Sequence, residues 1–493
     1  MKPENVLINN LKKAIEDKSI RAVSTDDGVF QCLLKGDEHS DVLPLNSKHF
    51  ALAFKLFYQN KFDIRLTDSE IQEAISYLEE EAYSNPLGTL YNRVYNIDNS
   101  QIVYDLNRDD DTVVWVENGE CSIEHIDEWL FARTSMFKNQ VTPDLTVSPL
   151  KLPEYVKKHF NLITDGNVKL LTLYLVTCYM GLVINHPLLM LSGEKGSSKS
   201  TALRKLERLI DPKTNDLTGI PKGSDGLELR LSNSYYVTMD NLSYISRQMS
   251  DTLSRAVTGG SYAKRKLYED TTEVCKNIKS IIAINSIYNV VKESDLLDRT
   301  LILNLKRIEN TEYKTEREIW ESFDNDLPKM LGCCFKCLAS AMIDTEPVHV
   351  KEWIRLVDFH EACVHIGRVL KYSDEEVTEL LLSNQKLVNL EAVNENYSAT
   401  CLIMFMKDRD RYEGSVSELL TDLKEVAENN YIHPTLLPKA PNHLTRQLRK
   451  VESNLSQEYG ITFKVANAGN YRKIEINKRE KITDSSDKRK KGK

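Results

Sequence analysis

A lysine followed by two hydroxyl residues, at the end of a run of small residues, is the arrangement in this sequence with most chemistry in it. Gly193-Glu194-Lys195-Gly196-Ser197-Ser198-Lys199-Ser200-Thr201 follows an apolar strand at 188–191 and opens a helical run to residue 210. Strand, small-residue loop and helix in this order form a phosphate-binding loop. Backbone N–H groups at the helix start cradle phosphates, Lys199 reaches the β- and γ-phosphates, and the Ser200 hydroxyl holds Mg²⁺. Ser198 stands where the pattern has a second glycine. Its small side chain keeps the close approach, provided that its backbone angles suit an L-residue.

Three later segments extend the site. Residues 235–240 read as a strand ending in Asp240, 41 residues after Lys199, and a carboxylate there suits Mg²⁺ directly or through water. Asn241 follows in place of a catalytic glutamate, so the group that polarises an attacking water stays open. Residues 280–285 form a second apolar strand ending in a polar group, Asn285. Arg299, just ahead of a third strand, suits an arginine finger on a neighbouring subunit's γ-phosphate. The guanine-reading pattern Asn60-Lys61-Phe62-Asp63 precedes the loop and falls at a helix end, which favours ATP over GTP.

Two segments suit nucleic acid. Residues 259–279 read as a hairpin with a turn near 269–272, one strand of which carries Lys264, Arg265 and Lys266. Residues 441–455 read as one helix with Leu444, Leu448, Val451 and Leu455 on an apolar face and Arg446, Arg449 and Lys450 off it. A hairpin follows at 461–476, with Arg472 and Lys473 on its second strand, then a basic tail from 478. Helix, helix and hairpin predict a winged helix-turn-helix.

These segments need a scaffold of several domains, and 493 residues allow roughly three. Charge is uneven. Residues 1–150 carry 14 Lys+Arg against 26 Asp+Glu, whereas residues 431–493 carry 15 against 6, which marks the basic end for a polyanion. Residues 170–193 lack charge, but Asn185-His186-Pro187 divides them into a buried helix of about 16 residues and a strand rather than a membrane span. Met1 opens a polar segment, so the expectation is a cytoplasmic chain without a signal peptide. Cys333, Cys334 and Cys337 lie in an apolar helical run without a partner pair at ligand spacing, so they read as core residues rather than zinc ligands. Helices are expected at 47–59 and 68–82, the second with a capping box from Ser69 to Gln72.

Taken together, the motifs resemble the AAA+ replication initiator–helicases of Gram-positive mobile elements such as pathogenicity islands and chromosome cassettes, relatives of the minichromosome-maintenance and superfamily 3 helicases. The resemblance rests on residues 193–201, 232–243, 258–268 and 295–299, with further blocks at 353–359 and 412–420 and a small β segment around 104–115. It implies a multi-domain α/β protein: an N-terminal α+β domain (1–150), a P-loop AAA+ core (151–325), a helical lid (326–410), a winged-helix DNA-binding domain (411–477) and a basic tail (478–493). It also implies Asn285 as the sensor of the γ-phosphate or attacking water, and Arg355 as a lid arginine or a surface ion pair. The implied function is an ATP- and Mg²⁺-dependent DNA helicase. It would form a homo-hexameric ring, move 3′ to 5′ on single-stranded DNA, and bind origin duplex through the winged helix. Host or element-encoded replication proteins would be its partners. The alternative is an ATP-dependent DNA-binding switch or loader without unwinding.

Overall fold

The computed structural model describes residues 6–479 except 26–27, 36–39, 89, 99, 109, 127–130, 133–135, 222, 266–272, 288, 395 and 469–470. The chain opens with α1 (Val6–Glu16), β1 (Ile20–Thr25), β2 (Phe30–Lys35), β3 (Ser40–Pro44), α2 (Lys48–Phe62), α3 (Asp68–Ser84) and β4 (Pro86–Gly88). Ser47 caps α2 by accepting from the Phe50 amide. The capping box of α3 is Thr67 with Glu70, two residues earlier than the Ser69–Gln72 pair expected from sequence. Phe50, Phe54 and Tyr58 recur at helical spacing and share a core with Ile20, Ala22, Cys32 and Leu34, alternate residues of β1 and β2.

A four-stranded antiparallel meander follows: β5 (Val94–Asp98), β6 (Gln101–Asp105), β7 (Thr112–Glu117) and β8 (Glu120–His125). Its residues Val94, Ile102, Tyr104, Val114 and Val116 belong to the same hydrophobic core as the parallel sheet described next. The division between cores therefore lies near residue 90, not near residue 150.

Then come α4 (Leu152–His159), α5 (Asp165–Thr177), β9 (Leu188–Ser192), α6 (Lys199–Ile210), α7 (Ser224–Ser232), β10 (Tyr236–Leu242), α8 (Arg247–Thr258), β11 (Ser261–Arg265), β12 (Glu273–Asn277), β13 (Ile281–Ser286), α9 (Ser294–Leu297) and β14 (Thr300–Asn304). β10, β13, β9 and β14 form one parallel sheet in that order. Its strands are near-continuous apolar runs because helices cover both faces. α5 ends sooner than expected: Gly181 takes φ +79° and leaves no room for a Cβ beside Asn96, whose amide donates to the Met180 carbonyl at 2.8 Å. Among the described residues no helix is long and apolar enough to cross a membrane.

Three long helices follow, α10 (Glu316–Met342), α11 (Val357–Val369) and α12 (Asp374–Asn394). Cys333, Cys334 and Cys337 are buried on α10, and burial pushes their thiols up. The last unit comprises α13 (Tyr397–Phe405), β15 (Arg411–Ser415), α14 (Val416–Asn429), α15 (Pro441–Lys450), α16 (Glu452–Tyr459), β16 (Ile461–Ala468) and β17 (Tyr471–Lys478), with sheet order β15-β17-β16. Its core runs from Val393 to Ile476 and takes in α13, which the sequence reading placed before the boundary at 411. The expected helix 441–455 is two helices, because Val451 leaves helical geometry at φ −122°, ψ 20°; all four of its apolar-face residues are nevertheless buried.

α6 starts at the end of the loop that follows β9, and its far end is fixed by groups from outside it. Tyr104 Oη donates to Ile210 O at 2.9 Å, Tyr179 Oη to Leu209 O at 2.8 Å, and Gln140 Nε2 to Leu209 O at 3.0 Å. These donors satisfy carbonyls that a helix C-terminus otherwise leaves unpaired. Arg93 Nε meets Asp211 Oδ1 at 2.8 Å, with both side chains almost completely buried. Arg93→Ala leaves the buried Asp211 carboxylate with only Lys213 at 3.8 Å and the Tyr236 amide, and should cost up to about 3–5 kcal/mol of stability in denaturant unfolding. A loss under ~1 kcal/mol would show that the pair is dispensable.

Candidate functional site

The loop after β9 is shaped by close approaches. A Cβ on Gly193 would lie 2.7 Å from Leu305 O and 2.8 Å from Ser197 Oγ, so only glycine fits. Ser197 Oγ is turned inward and donates to Glu194 O at 2.9 Å. Ser198, at the start of α6, has φ 61° and ψ 31°. It therefore adopts the left-handed conformation of the glycine it replaces, at a cost of about 1–2 kcal/mol for an L-residue. The condition set by the sequence, angles suited to an L-residue, is not met. Lys199 Nζ donates to Gly193 O at 2.6 Å and Glu194 O at 2.8 Å, folding its ammonium onto the loop. Partial burial lowers its pKa, and the charge of Asp240 opposes that shift.

Three of the expected side chains meet where the amino end of α6 lies beside the carboxyl ends of β10 and β13. Ser200 Oγ donates to Asp240 Oδ1 at 2.7 Å, and Asn285 Nδ2 donates to the same oxygen at 2.5 Å. The Asn241 amide donates to Asn285 Oδ1 at 2.6 Å. Topology explains the meeting: β13 lies between β9 and β10, so Asn285 at its end sits between the loop and Asp240. In open parallel sheets, ligands bind beyond the carboxyl ends of the strands. Asn285 is buried, so its amide is held in one orientation by the two bonds.

Other expected residues are elsewhere. Asn241 has φ 54° and an exposed side chain, with no carboxylate in its place. Glu207 on α6 is bonded by Thr238 Oγ1 of β10, the residue two before Asp240. It lies seven residues from Ser200, about 10 Å along the helix, and burial raises its pKa. Arg299 is at the opposite end of the sheet, since its carbonyl accepts from Leu188 at the start of β9. Five residues of β9 span about 16 Å, so Arg299 does not reach the loop of its own chain. Its guanidinium pairs with Asp295, and its Nε is buried without a hydrogen-bond partner among the described residues. Arg355 bonds Asp298 at 3.0 Å and Asp295 at 2.9 Å in the same cluster, so it is an ion-pair residue there and does not lie over the loop.

A strap after β14 is a feature that sequence reading missed. Leu305 N donates to Ser192 O at 2.8 Å and Ile308 N to Gly196 O at 3.1 Å, while Arg307 lies 3.7 Å from Glu194. The adjacent Lys306-Arg307 pair was the one local signal for it.

On the nucleic-acid side, β11 and β12 form a separate antiparallel pair with Lys264 opposite Val274 and Arg265 opposite Glu273. The pair is rooted at the amino end of β13, whereas Asn285 closes its carboxyl end. Lys266 and the turn at 269–272 lie outside the described residues. Arg446, Arg449 and Lys450 are exposed on α15, and Lys450 pairs with Glu293 at 2.8 Å. Arg472 is exposed on β17, while Lys473 pairs with Glu413. The tail beyond 479 lies outside the described residues.

This multi-domain α/β chain matches replication proteins of mobile elements over two separate stretches. Residues 156–373 match the family of the actinomycete integrative conjugative element replication protein, and residues 399–488 match the RepA C-terminal domain of the same elements. The two matches support a replication protein of a mobile element, the class to which the sequence resemblance pointed. No curated protein matches it. It is similar to the A form apo structure of the NrS-1 C terminal region-CTR, with 11% identity, 95% of this chain and 98% of that chain covered, and a TM-score of 0.40. It is likewise similar to the apo structure of the NrS-1 C terminal region, with 12% identity, 94% and 97% covered, and a TM-score of 0.38.

The left-handed serine gives a direct test. Ser198→Gly removes the steric cost but adds freedom to the unfolded chain, so stability should hold or rise by up to about 1 kcal/mol. Ser198→Val, β-branched at the same angles, should destabilise the protein. Thermal unfolding compares the two, and a less stable Ser198→Gly would mean that the serine hydroxyl itself supports the loop.

Proposed function

We propose that this replication protein is an ATP-dependent DNA helicase and initiator, in which residues 193–201 are a phosphate-binding loop and residues 399–478 a winged helix. The convergence of Ser200, Asp240 and Asn285 beside that loop carries the reading. A hydroxyl and a carboxylate 2.7 Å apart are hard oxygen donors of the kind Mg²⁺ takes, so Ser200 and Asp240 would hold it. The metal would neutralise charge as the phosphoryl group leaves. Lys199 exchanges its bonds to the loop carbonyls for phosphate oxygens. Asn285, held by Asp240 and the Asn241 amide, presents its amide to the γ-phosphate or the attacking water.

Arg299 lies a strand's length from its own loop, so in this reading it serves the neighbouring subunit, which calls for a ring, taken here as a hexamer. The hairpin β11–β12 shares the amino end of the sheet with Arg299. Lys264, Arg265 and Lys266 would there grip the backbone of single-stranded DNA. The expected direction of movement is 3′ to 5′. In the last unit, helix, strand, helix, the broken helix α15–α16 and two strands follow winged-helix order, with α15 as the helix offered to origin duplex and β16–β17 as the wing.

A second reading, a DNA-binding switch or loader without unwinding, is favoured by one observation: position 241 holds an asparagine and Glu207 is too far to replace it. Strand displacement on a forked duplex with ATP separates the two readings.

Lys199→Ala should abolish ATP hydrolysis and leave duplex-origin binding within about twofold, because a phosphate contact on the loop does not touch α15. Turnover near wild type would remove the loop assignment. Arg299→Ala should lower hydrolysis by ~10³-fold or more while nucleotide still binds. Mixing the two variants should restore part of the rate through composite sites; no recovery between exchanging subunits would place Arg299 outside the reaction.

A further inference from the structure

A finger must turn away from its own subunit to reach a neighbour, yet the Arg299 side chain is only 12% exposed. Its Nη1 is bound twice by Asp295, by the carboxylate and by the backbone carbonyl at 2.5 Å. A second guanidinium sits on the same carboxylate. Arg355 Nη2 lies 2.9 Å from Asp295 Oδ1, the oxygen that Arg299 Nη1 also meets, and Arg355 Nη1 lies 3.0 Å from Asp298 Oδ2. The Ser254 hydroxyl of α8 bonds Asp295 as well. Two arginines thus share two aspartates. The more buried of these, Asp298, is the one held by Arg355 alone: burial raises its pKa, and the bond from Arg355 opposes that shift.

An oxygen shared by two guanidiniums is a place for exchange. A carboxylate offers a guanidinium the same kind of oxyanion as a phosphate, so Asp295 occupies Arg299 as a γ-phosphate would. The stored position is incomplete, because Arg299 Nε is buried without a hydrogen-bond partner among the described residues, and an unmet donor favours leaving. Departure from a pair that Arg299 alone compensated would strand a charge. With Arg355 already on the same oxygen, Asp295 keeps a cation when Arg299 goes. We propose that Asp295 withholds Arg299 in a subunit that has no neighbour, and that Arg355 is the positioning residue that takes over Asp295 when Arg299 turns outward. Arg355 acts through Asp295 and does not touch nucleotide, and Asp298 keeps it within reach of the exchange. The inference rests on the reading of Arg299 as a finger for the neighbouring subunit.

Hydrolysis by the full-length protein, with kcat and KM for ATP measured separately, tests it. Asp295→Asn loosens the hold on Arg299 and should raise kcat by about two- to fivefold, the range a half-exposed ion pair commands. Arg355→Gln leaves Arg299 as the only arginine on Asp295 and should lower kcat by a similar factor. KM should not move in either, because the cluster lies a strand's length from the loop of its own chain. The double variant should recover at least the wild-type rate, since without the Asp295 carboxylate there is nothing for Arg355 to relieve. A merely destabilised protein neither gains rate nor is repaired by a second substitution. An Asp295→Asn variant as slow as Arg299→Ala would make Asp295 a support for the outward finger, and overturns the withholding role. Unchanged rates in both single variants, or an Arg355→Gln defect that Asp295→Asn does not relieve, overturn it too. Wild-type hydrolysis by Arg299→Ala would instead remove the finger reading beneath it.

Discussion

α6 is held at both ends by groups it does not contain, and the rest of the molecule is arranged around that fact. Its amino end must present Lys199 and Ser200 at a fixed height above the sheet, because Ser200 reaches Asp240 across a single hydrogen bond. A helix of 12 residues has little stability of its own and leaves its terminal carbonyls unpaired. Tyr104, Gln140 and Tyr179 supply the missing donors, and Arg93 anchors Asp211 where the chain leaves the helix. Three of these four groups come from residues 93–140, far upstream in sequence. The meander is thus a clamp that sets the axial position of the helix, and through it the geometry of the site.

The parallel sheet then separates two kinds of chemistry. Groups at the carboxyl ends of β9, β10 and β13 are hydrogen-bonded to one another. Arg299, Asp295, Asp298 and Arg355 form a charged cluster at the amino end, beside the root of the β11–β12 pair. β13 runs from one to the other in six residues.

Much of this was legible from local signals. The loop, the strand ends at Asp240 and Asn285 and the alternation of the C-terminal unit depend on short patterns, and the structure places those elements close to where the patterns put them. What was not legible depends on partners distant in sequence. Ser198 reads as a tolerated small residue, yet it takes the left-handed conformation at φ 61°, in a loop where Leu305 and Ser197 crowd Gly193. α13 is a short, almost wholly apolar helix, so periodicity gave no face to assign, and only its packing on α14 and α15 shows which core it serves. The break at Val451 leaves the apolar spacing intact, which is why 441–455 read as one helix. The meander's alternation announced strands but not that their inner face belongs to the core of the parallel sheet.

That shared core has a consequence for descent. Recombination preserves a fold when its crossover falls between cores and ruins it when the crossover cuts one. Joins near residues 90 and 395 keep the three large cores whole, whereas a join near residue 150 pairs half a core with a stranger's. The stretch from the meander to α12 is therefore one packing unit, which only a join outside it leaves whole.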